Sequence, residues 1–596
     1  MKASPIPPPR EELSYHKHLD LASYACGTFT QWVEPLAKLL EAASRGLGYL
    51  PEQEVRGKLG KDIPPAHLMI IDDGIAMLPR TKYSWDKIRV FFSESLQANS
   101  RPLNDAEVRA SLDSILPYYV DENFSNLAQR RAIAALVDAK VGVLTGGPGT
   151  GKTTTAAALL SVYCRLQPDL KPEDVAICAP TGKAANRLRQ SLLRAAQQLK
   201  LENSELDFLK ALSPSTIHRA LKWNGTAPEN GGPFKYNLHN KLPHRFILVD
   251  EVSMVDTQLM YQLIQAIESE ASLILLGDAD QLDSVEAGGV LAELVLRGAA
   301  DPKAPDKKRL KARYCPTVPD DLREGLPEYK GDQPLPGLSW ALVHSWRAKS
   351  SPWILQCAKS CRPGANVTAD EFTAQVSALE KAQATPLSQR VISKEVSFSE
   401  LEENHICWLE SQNHFDQICK VAWRALLDGS AKWNLKSTIE DREINALLGE
   451  FQLLCAFNHQ VDRANQLALS MTGQRQLCHG FPIMIEENRP ELGVVNGDIG
   501  LAIGAGPKSG AMVVYFPGLE APLPVAHLPK YCLAFALSIH KSQGSEWKQV
   551  AIDLPAQASE LLEPRLLYTA ITRASKGLIF HAPQEGLRQI LDPKRL

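Results

Sequence analysis

The sequence predicts an α/β protein with parallel sheets, an N-terminal mainly helical domain and a small β-barrel insertion toward the C-terminal end. Three observations predict this. Four short apolar runs, Val141–Leu144, Val175–Ala179, Phe246–Val249 and Leu273–Leu276, alternate with helical stretches, the pattern of βαβ units and a parallel sheet. A glycine-rich segment, Gly146-Gly147-Pro148-Gly149-Thr150-Gly151-Lys152-Thr153, follows the first run directly and opens the Ala- and Leu-rich stretch Thr154–Tyr163, which reads as a helix. Finally, Phe481–His527 is rich in Gly, Pro and short β-prone runs, among them Ile483–Ile485 and Met512–Phe516. It interrupts a second alternating region whose last strands are Val550–Ile552 and Leu578–Phe580.

Taken in order, residues 1–115 hold helical patterning such as Phe29–Ala43 and a short strand near Ile75–Leu78, without a nucleotide or metal motif; they read as a docking domain. Residues 116–300 hold the first alternating region. Residues 301–336 begin with a charge-dense run, continue with Pro316, Pro319, Pro327, Pro334 and Pro336, and read as an inserted loop or linker. The second α/β domain takes 337–480 and 528–596, with the β insertion at 481–527.

A length of 596 residues suits several domains, and 44% hydrophobic with 22% charged residues is ordinary for globular protein. A net charge of −3 gives no global polycation, so nucleic acid would have to be held by a local basic groove. No run has the length of a membrane span, and Met1–Arg10, with Pro5, Pro7, Pro8 and Pro9, lacks an apolar signal core, so a cytoplasmic location is expected. The eleven cysteines are scattered; Cys357 and Cys361 share a helical spacing but lack further ligands nearby, so both read as core thiols.

The glycine-rich segment carries the chemistry. It fits the Gly-x-x-x-x-Gly-Lys-Thr phosphate loop in the strand–loop–helix context that such a match requires. Its glycines let backbone N–H groups curl around phosphates, and the helix that follows adds positive potential. Lys152 would reach the β- and γ-phosphates of ATP, and Thr153 would hold Mg²⁺, with Gly146, Gly147, Pro148, Gly149, Thr150, Gly151 and Thr154 completing the cradle. Phe246–Val249 then ends in Asp250-Glu251: Asp250 for the Mg²⁺ shell, Glu251 to polarise the attacking water. Leu275-Leu276-Gly277-Asp278-Ala279-Asp280-Gln281 repeats the design, where Gln281 either contacts the γ-phosphate or is simply a polar turn residue. Gln129 could pair with adenine through its amide, or lie on a solvated helix face.

Two later segments separate this chain from other phosphate-loop enzymes: Ser538-Ile539-His540-Lys541-Ser542-Gln543-Gly544-Ser545-Glu546-Trp547, and Arg565-Leu566-Leu567-Tyr568-Thr569-Ala570-Ile571-Thr572-Arg573-Ala574. They resemble the fifth and sixth motifs of superfamily 1 helicases. Ala179-Pro180-Thr181-Gly182-Lys183 and Thr216-Ile217-His218-Arg219 resemble that superfamily's DNA-contacting motifs. Asp250-Glu251-Val252-Ser253-Met254, Gly277–Gly288 and His540–Glu546 resemble more narrowly the RecD family, the alpha subunit of exodeoxyribonuclease V, with motifs spread over 120–596. Asp283 stands where many relatives carry Pro.

The resemblance implies two RecA-like domains with ATP and Mg²⁺ in the cleft between them. Arg573 and Arg347 would reach the γ-phosphate, with Gly544 at the nucleotide, and Thr181, His218, Asn496, His540 and Ser542 on the DNA strand. Trp346, Trp547 and Tyr568 are either base-stacking platforms or core. It further implies a 5′-to-3′ DNA helicase in a heterotrimer with RecB-like and RecC-like subunits, acting on single-stranded and duplex-end DNA in double-strand-break repair, without a nuclease of its own. Two alternatives stay open: a stand-alone relative, which would usually bear a longer N-terminal region with helix–hairpin–helix motifs not found in 1–115, and a nucleotide-gated structural subunit that does not translocate.

Overall fold

The computed structural model describes residues 21–22, 25–26, 30–44, 50–56, 64–72, 75–97, 103–120, 125–223, 233–283, 289–297, 338–342, 344–346, 351–383, 387–388, 405–435, 437, 439–473, 477–504, 512–519, 521–556 and 562–591. Arg347, the whole 301–336 insert and Met1–Arg10 lie outside them.

Near the N-terminus a helix at Val33–Ser44 packs with strands β1 (Leu50–Pro51), β2 (Ile70–Asp72) and β3 (Ile75–Met77), which pair antiparallel in the order β1-β3-β2. Trp32, Leu36 and Leu39 meet Met69 and Ala76 in a small core of their own.

The first large sheet contains β4 (Val141–Gly146), β5 (Val175–Ala179), β6 (Ser215–Thr216), β7 (Phe246–Val249), β8 (Ser272–Gly277) and β9 (Ser339–Leu342), all parallel in the order β6-β5-β7-β8-β4-β9. Helices cover both faces, so the central strands are apolar without alternation; every residue of β5 and β7 is buried. The four strands expected from the apolar runs are all present. The strand at 339–342 corrects the expected boundary at 337: it joins the first sheet beside β4, because the apolar edge of β4 needs a partner and Leu338 and Leu342 complete its core. The boundary at 115 also moves. Ile88 and Phe92 of helix Pro79–Gln97 and Val108, Leu112 and Ile115 of helix Asp105–Ile115 are buried in the cores of this first lobe, where they cover its sheet and the helix after the phosphate loop.

The second parallel sheet is built from β10 (Ile406–Trp408), β11 (Phe451–Cys455), β17 (Ala536–Ser538), β18 (Trp547–Asp553) and β19 (Ala574–His581), in the order β10-β19-β18-β11-β17. Between β11 and β17 runs an antiparallel sheet of β12 (Pro482–Ile485), β13 (Ile499–Gly504), β14 (Met512–Tyr515), β15 (Leu523–Pro524) and β16 (Tyr531–Leu533), in the order β15-β14-β13-β12-β16. It continues past the expected limit at 527, because β16 pairs with β12 through Met484 and Cys532. Cys357 and Cys361 are core residues of the second lobe, as their spacing suggested. No helix among the described residues is long and apolar enough to cross a membrane.

Candidate nucleotide site

Register puts the site's parts at one edge. Val143 pairs with Leu275, and Leu275 with Val249, so β4, β7 and β8 run side by side and end together. The phosphate loop, Asp250-Glu251 and Asp278 therefore emerge at the carboxyl edge of one sheet, where ligands of such sheets collect.

The loop itself is local chemistry. Gly149 and Gly151 take φ of 69° and 85°, left-handed values that L side chains avoid. A Cβ on Gly151 would stand 2.4 Å from Gln129 Nε2. Helix Lys152–Leu166 begins at the lysine, and Lys152 Nζ donates to the carbonyls of Gly146 (2.5 Å) and Gly147 (3.1 Å). Thr150 Oγ1 donates back to Gly147 O at 2.8 Å. From beyond β9, Ser345 Oγ and Trp346 N donate to Pro148 O (3.0 Å) and Gly149 O (2.8 Å). Gln129 is buried beside Thr150 rather than on a solvated face.

Asp250 sits one residue past β7, and Glu251 turns the chain with a φ of 53°. Burial, then the neighbouring Glu251 carboxylate, pushes the Asp250 carboxyl up to about 7, against the opposing pull of Lys152 and Arg187. Buried paired acids of this kind are short of positive charge, the environment that a divalent cation and a triphosphate's counterions fit.

The second lobe closes over this edge. Tyr568 Oη donates to Asp278 Oδ2 at 3.0 Å, and Gln281 Nε2 donates to the same oxygen at 3.0 Å. Leu282 N donates to Thr569 Oγ1 (2.9 Å), Gln543 Nε2 to Leu282 O (3.0 Å), and Arg187 pairs with Glu546 (3.0 Å). Arg565 pairs with Asp283, which gives the acid at that unusual position a partner across the lobes. Arg573 is buried; its Nε donates to Thr569 O (3.1 Å) and its Nη1 to Ser545 O (3.1 Å). Burial lowers its pKa, while Glu251 and Asp278 of the first lobe pull the other way. Lys152 thus acts on Asp250 and Arg573, of the other lobe, on the adjacent Glu251.

Two family models match the chain: an AAA domain over residues 129–287 and a UvrD-like helicase C-terminal domain over 533–580. Among curated proteins, the RecBCD enzyme subunit RecD of Mycobacterium tuberculosis is 33% identical over 460 residues, covering 75% of this chain and 68% of that protein. The chain belongs to the RecD family. The RecD subunit of Haemophilus influenzae is 30% identical over 78% of this chain and 70% of its own length. The ATP-dependent RecD2 DNA helicase of Deinococcus radiodurans is 26% identical over 75% of this chain and 47% of its own. A solved structure of two coordinating Pif1 helicases aligns over 79% of this chain and 94% of the other at 14% identity and a TM-score of 0.39.

Of the strand residues that RecD-family motifs suggested, His218 and Asn496 are exposed, and Thr181 and His540 are partly buried. Thr181 Oγ1 also caps helix Gly182–Gln198 by accepting from Ala184 N at 3.2 Å. Gly182 packs so closely on the β12–β13 loop that a Cβ would stand 2.5 Å from Val495, which brings Asn496 toward Thr181. Gly544 faces Ala184 on this same helix. Ser542 does not fit: it is fully buried and its hydroxyl donates to Ile539 O at 2.6 Å, the 3₁₀ turn having taken its proton. Tyr568 and Trp547 are buried in the second lobe's core and are not stacking platforms. Trp346 lies against the phosphate loop, with its Cδ1 3.7 Å from a Cβ built on Gly151. Sequence reasoning missed Asp278, Arg187 and Glu546 as cross-lobe residues; the acid repeated at the end of β8 was the available signal for the first.

Proposed function

We propose that this chain is an ATP-dependent DNA helicase, the RecD-type motor subunit of a RecBCD-type helicase–nuclease, which moves 5′-to-3′ on single-stranded DNA. The observation that carries the reading is the hydrogen bond of Tyr568 from one lobe to Asp278 of the other, with Arg573 near Glu251 and Asp278, beside a phosphate loop. Hydrolysis at such a seam changes how tightly the lobes hold each other, and a strand lying across both lobes would be ratcheted. The names of the related RecD subunits support RecB-like and RecC-like partners.

Lys152 holds the β- and γ-phosphates, Gln129 meets adenine, and Glu251 orients the water. Mg²⁺, held by Thr153 and Asp250, supplies charge neutralisation at the phosphates when bound. Gln281 and Asp278 report the nucleotide to Tyr568. Arg573 meets the charge that develops on the γ-phosphate, and Arg347, next in chain to Trp346, stays a second candidate. Thr181, His218, Asn496 and His540 hold the strand by its backbone, without reading sequence. The chain carries no nuclease; it works in the cytoplasm and leaves degradation to its partner.

The test is unwinding of duplexes with 5′ or 3′ single-stranded tails, with Lys152→Gln as control. A 5′ tail should support unwinding, and single-stranded oligonucleotide should raise ATP hydrolysis less as salt increases. Preference for a 3′ tail refutes the polarity, and hydrolysis indifferent to DNA refutes the motor.

A further inference from the structure

A second-lobe cation, Arg362, lies at the phosphate loop. Arg362 follows helix Pro352–Ser360 of the second lobe, whose Ile354, Cys357 and Ala358 are buried in that lobe's core. Its Nη2 lies 3.8 Å from where a Cβ on Gly147 would stand, and Tyr568 Oη lies 3.1 Å from the same point. A side chain at Gly147 would therefore meet second-lobe groups poised over the phosphate loop. The guanidinium is anchored from two sides: its Nε is 3.0 Å from Asp280 Oδ2, and it hydrogen-bonds the Tyr568 side chain. Asp280 belongs to the first lobe, three residues past β8, so this ion pair crosses the seam.

Arg362 and Arg573 differ in availability. Arg573 is 4% exposed and donates to two backbone carbonyls, whereas the Arg362 side chain is 40% exposed and its counter-charge is a carboxylate that is 33% exposed. A guanidinium fork matches phosphate oxygens better than it matches one carboxylate oxygen, and a terminal phosphate carries more charge. Nothing between Arg362 and Gly147 needs to unfold for an exchange of partners.

We propose that Arg362 is a phosphate-contacting residue that reads the terminal phosphate of ATP. In the structure it rests on Asp280 and Tyr568. With a triphosphate in the loop it passes to the outermost phosphate, and Asp280 is released to the first lobe. A diphosphate does not reach it, so the exchange distinguishes ATP from ADP at the seam. This rests on the ATP-binding reading above.

The experiment is titration of the full chain, with magnesium, against ADP and against a non-hydrolysable ATP analogue, for wild type, Arg362→Ala, Arg362→Lys and Asp280→Asn. Loss of a charge-assisted contact predicts an analogue affinity weakened ~10- to 100-fold in Arg362→Ala, with ADP affinity changed less than about twofold. Arg362→Lys should recover part of the analogue affinity. Asp280→Asn, which removes the resting partner, should leave analogue affinity at least as high as wild type. Equal weakening of both nucleotides, or none, overturns the proposal and leaves a structural ion pair. A wild type that binds neither nucleotide removes the ATP reading itself, a different result from a wild type that binds the analogue with Arg362→Ala its equal.

Discussion

Replacing Tyr568 by Phe removes the hydroxyl that joins the lobes at Asp278, together with its hydrogen bond to Arg362. Tyr568 is 1% exposed, and its hydroxyl donates to Asp278 Oδ2 at 3.0 Å. Phe fills the same volume, so no cavity opens and the second lobe's core keeps its packing. A hydrogen bond to a charged acceptor contributes about 1.5–3 kcal/mol net. Asp278 keeps two donors, Gln281 Nε2 at 3.0 Å and Asp280 N at 3.2 Å, so its charge is not stranded. The cost should therefore sit near the lower end, about 1.5 kcal/mol, which corresponds to roughly tenfold in an equilibrium. The two partners belong to different lobes, so that cost falls on closure rather than on the folding of either lobe. The assay is DNA-stimulated ATP hydrolysis: KM for ATP should rise about tenfold, while the melting temperature stays within a few degrees of wild type. A variant with wild-type KM, or one that melts far earlier, refutes the assignment of this bond to closure.

Two further outcomes are expected. Gly151→Ala places a methyl group 2.4 Å from Gln129 Nε2 at a φ of 85°, so nucleotide binding should fall below detection by equilibrium dialysis while far-UV circular dichroism stays that of a folded chain. Burial holds the pKa values of His244 and His540 below the usual ~6.5. A folded-state pKa lower than the unfolded one means that the unfolded chain takes up protons first on acidification. The stability these two contribute is thus fully present above about pH 6.5 and lost as pH falls below it. His540→Asn should flatten the slope of urea-unfolding stability between roughly pH 5 and 6.5, and an unchanged slope would count against burial as the cause.

The phosphate loop and the strand it follows were legible because both are contiguous: each glycine's conformation and the Lys152 position depend on neighbours in the chain. The β4, β5, β7 and β8 runs were legible for a related reason, since strands covered on both faces must be apolar throughout. The expected boundaries at 115 and 337 failed because helix faces and an edge strand declare themselves only by what they pack on. Ile88 and Phe92 look the same in sequence whether they cover the first sheet or an N-terminal core. Ser542 was misread as a strand contact for the same reason, and Trp547 and Tyr568 stayed open between stacking and core: residue type permits either, and burial decides.

By itself, then, the sequence determined that a glycine-rich phosphate-loop motif stands at the end of a parallel-sheet strand, that two carboxylates end another, and that a second α/β lobe carries Arg573. Only the tertiary structure decided which groups meet across the seam: Tyr568 with Asp278, Arg187 with Glu546, Arg565 with Asp283, and Arg362 over Gly147. Local backbone preference acts over a few residues and leaves its mark in spacing. Charge pairing between lobes acts through space, and no spacing in the chain records which acid a given arginine will face.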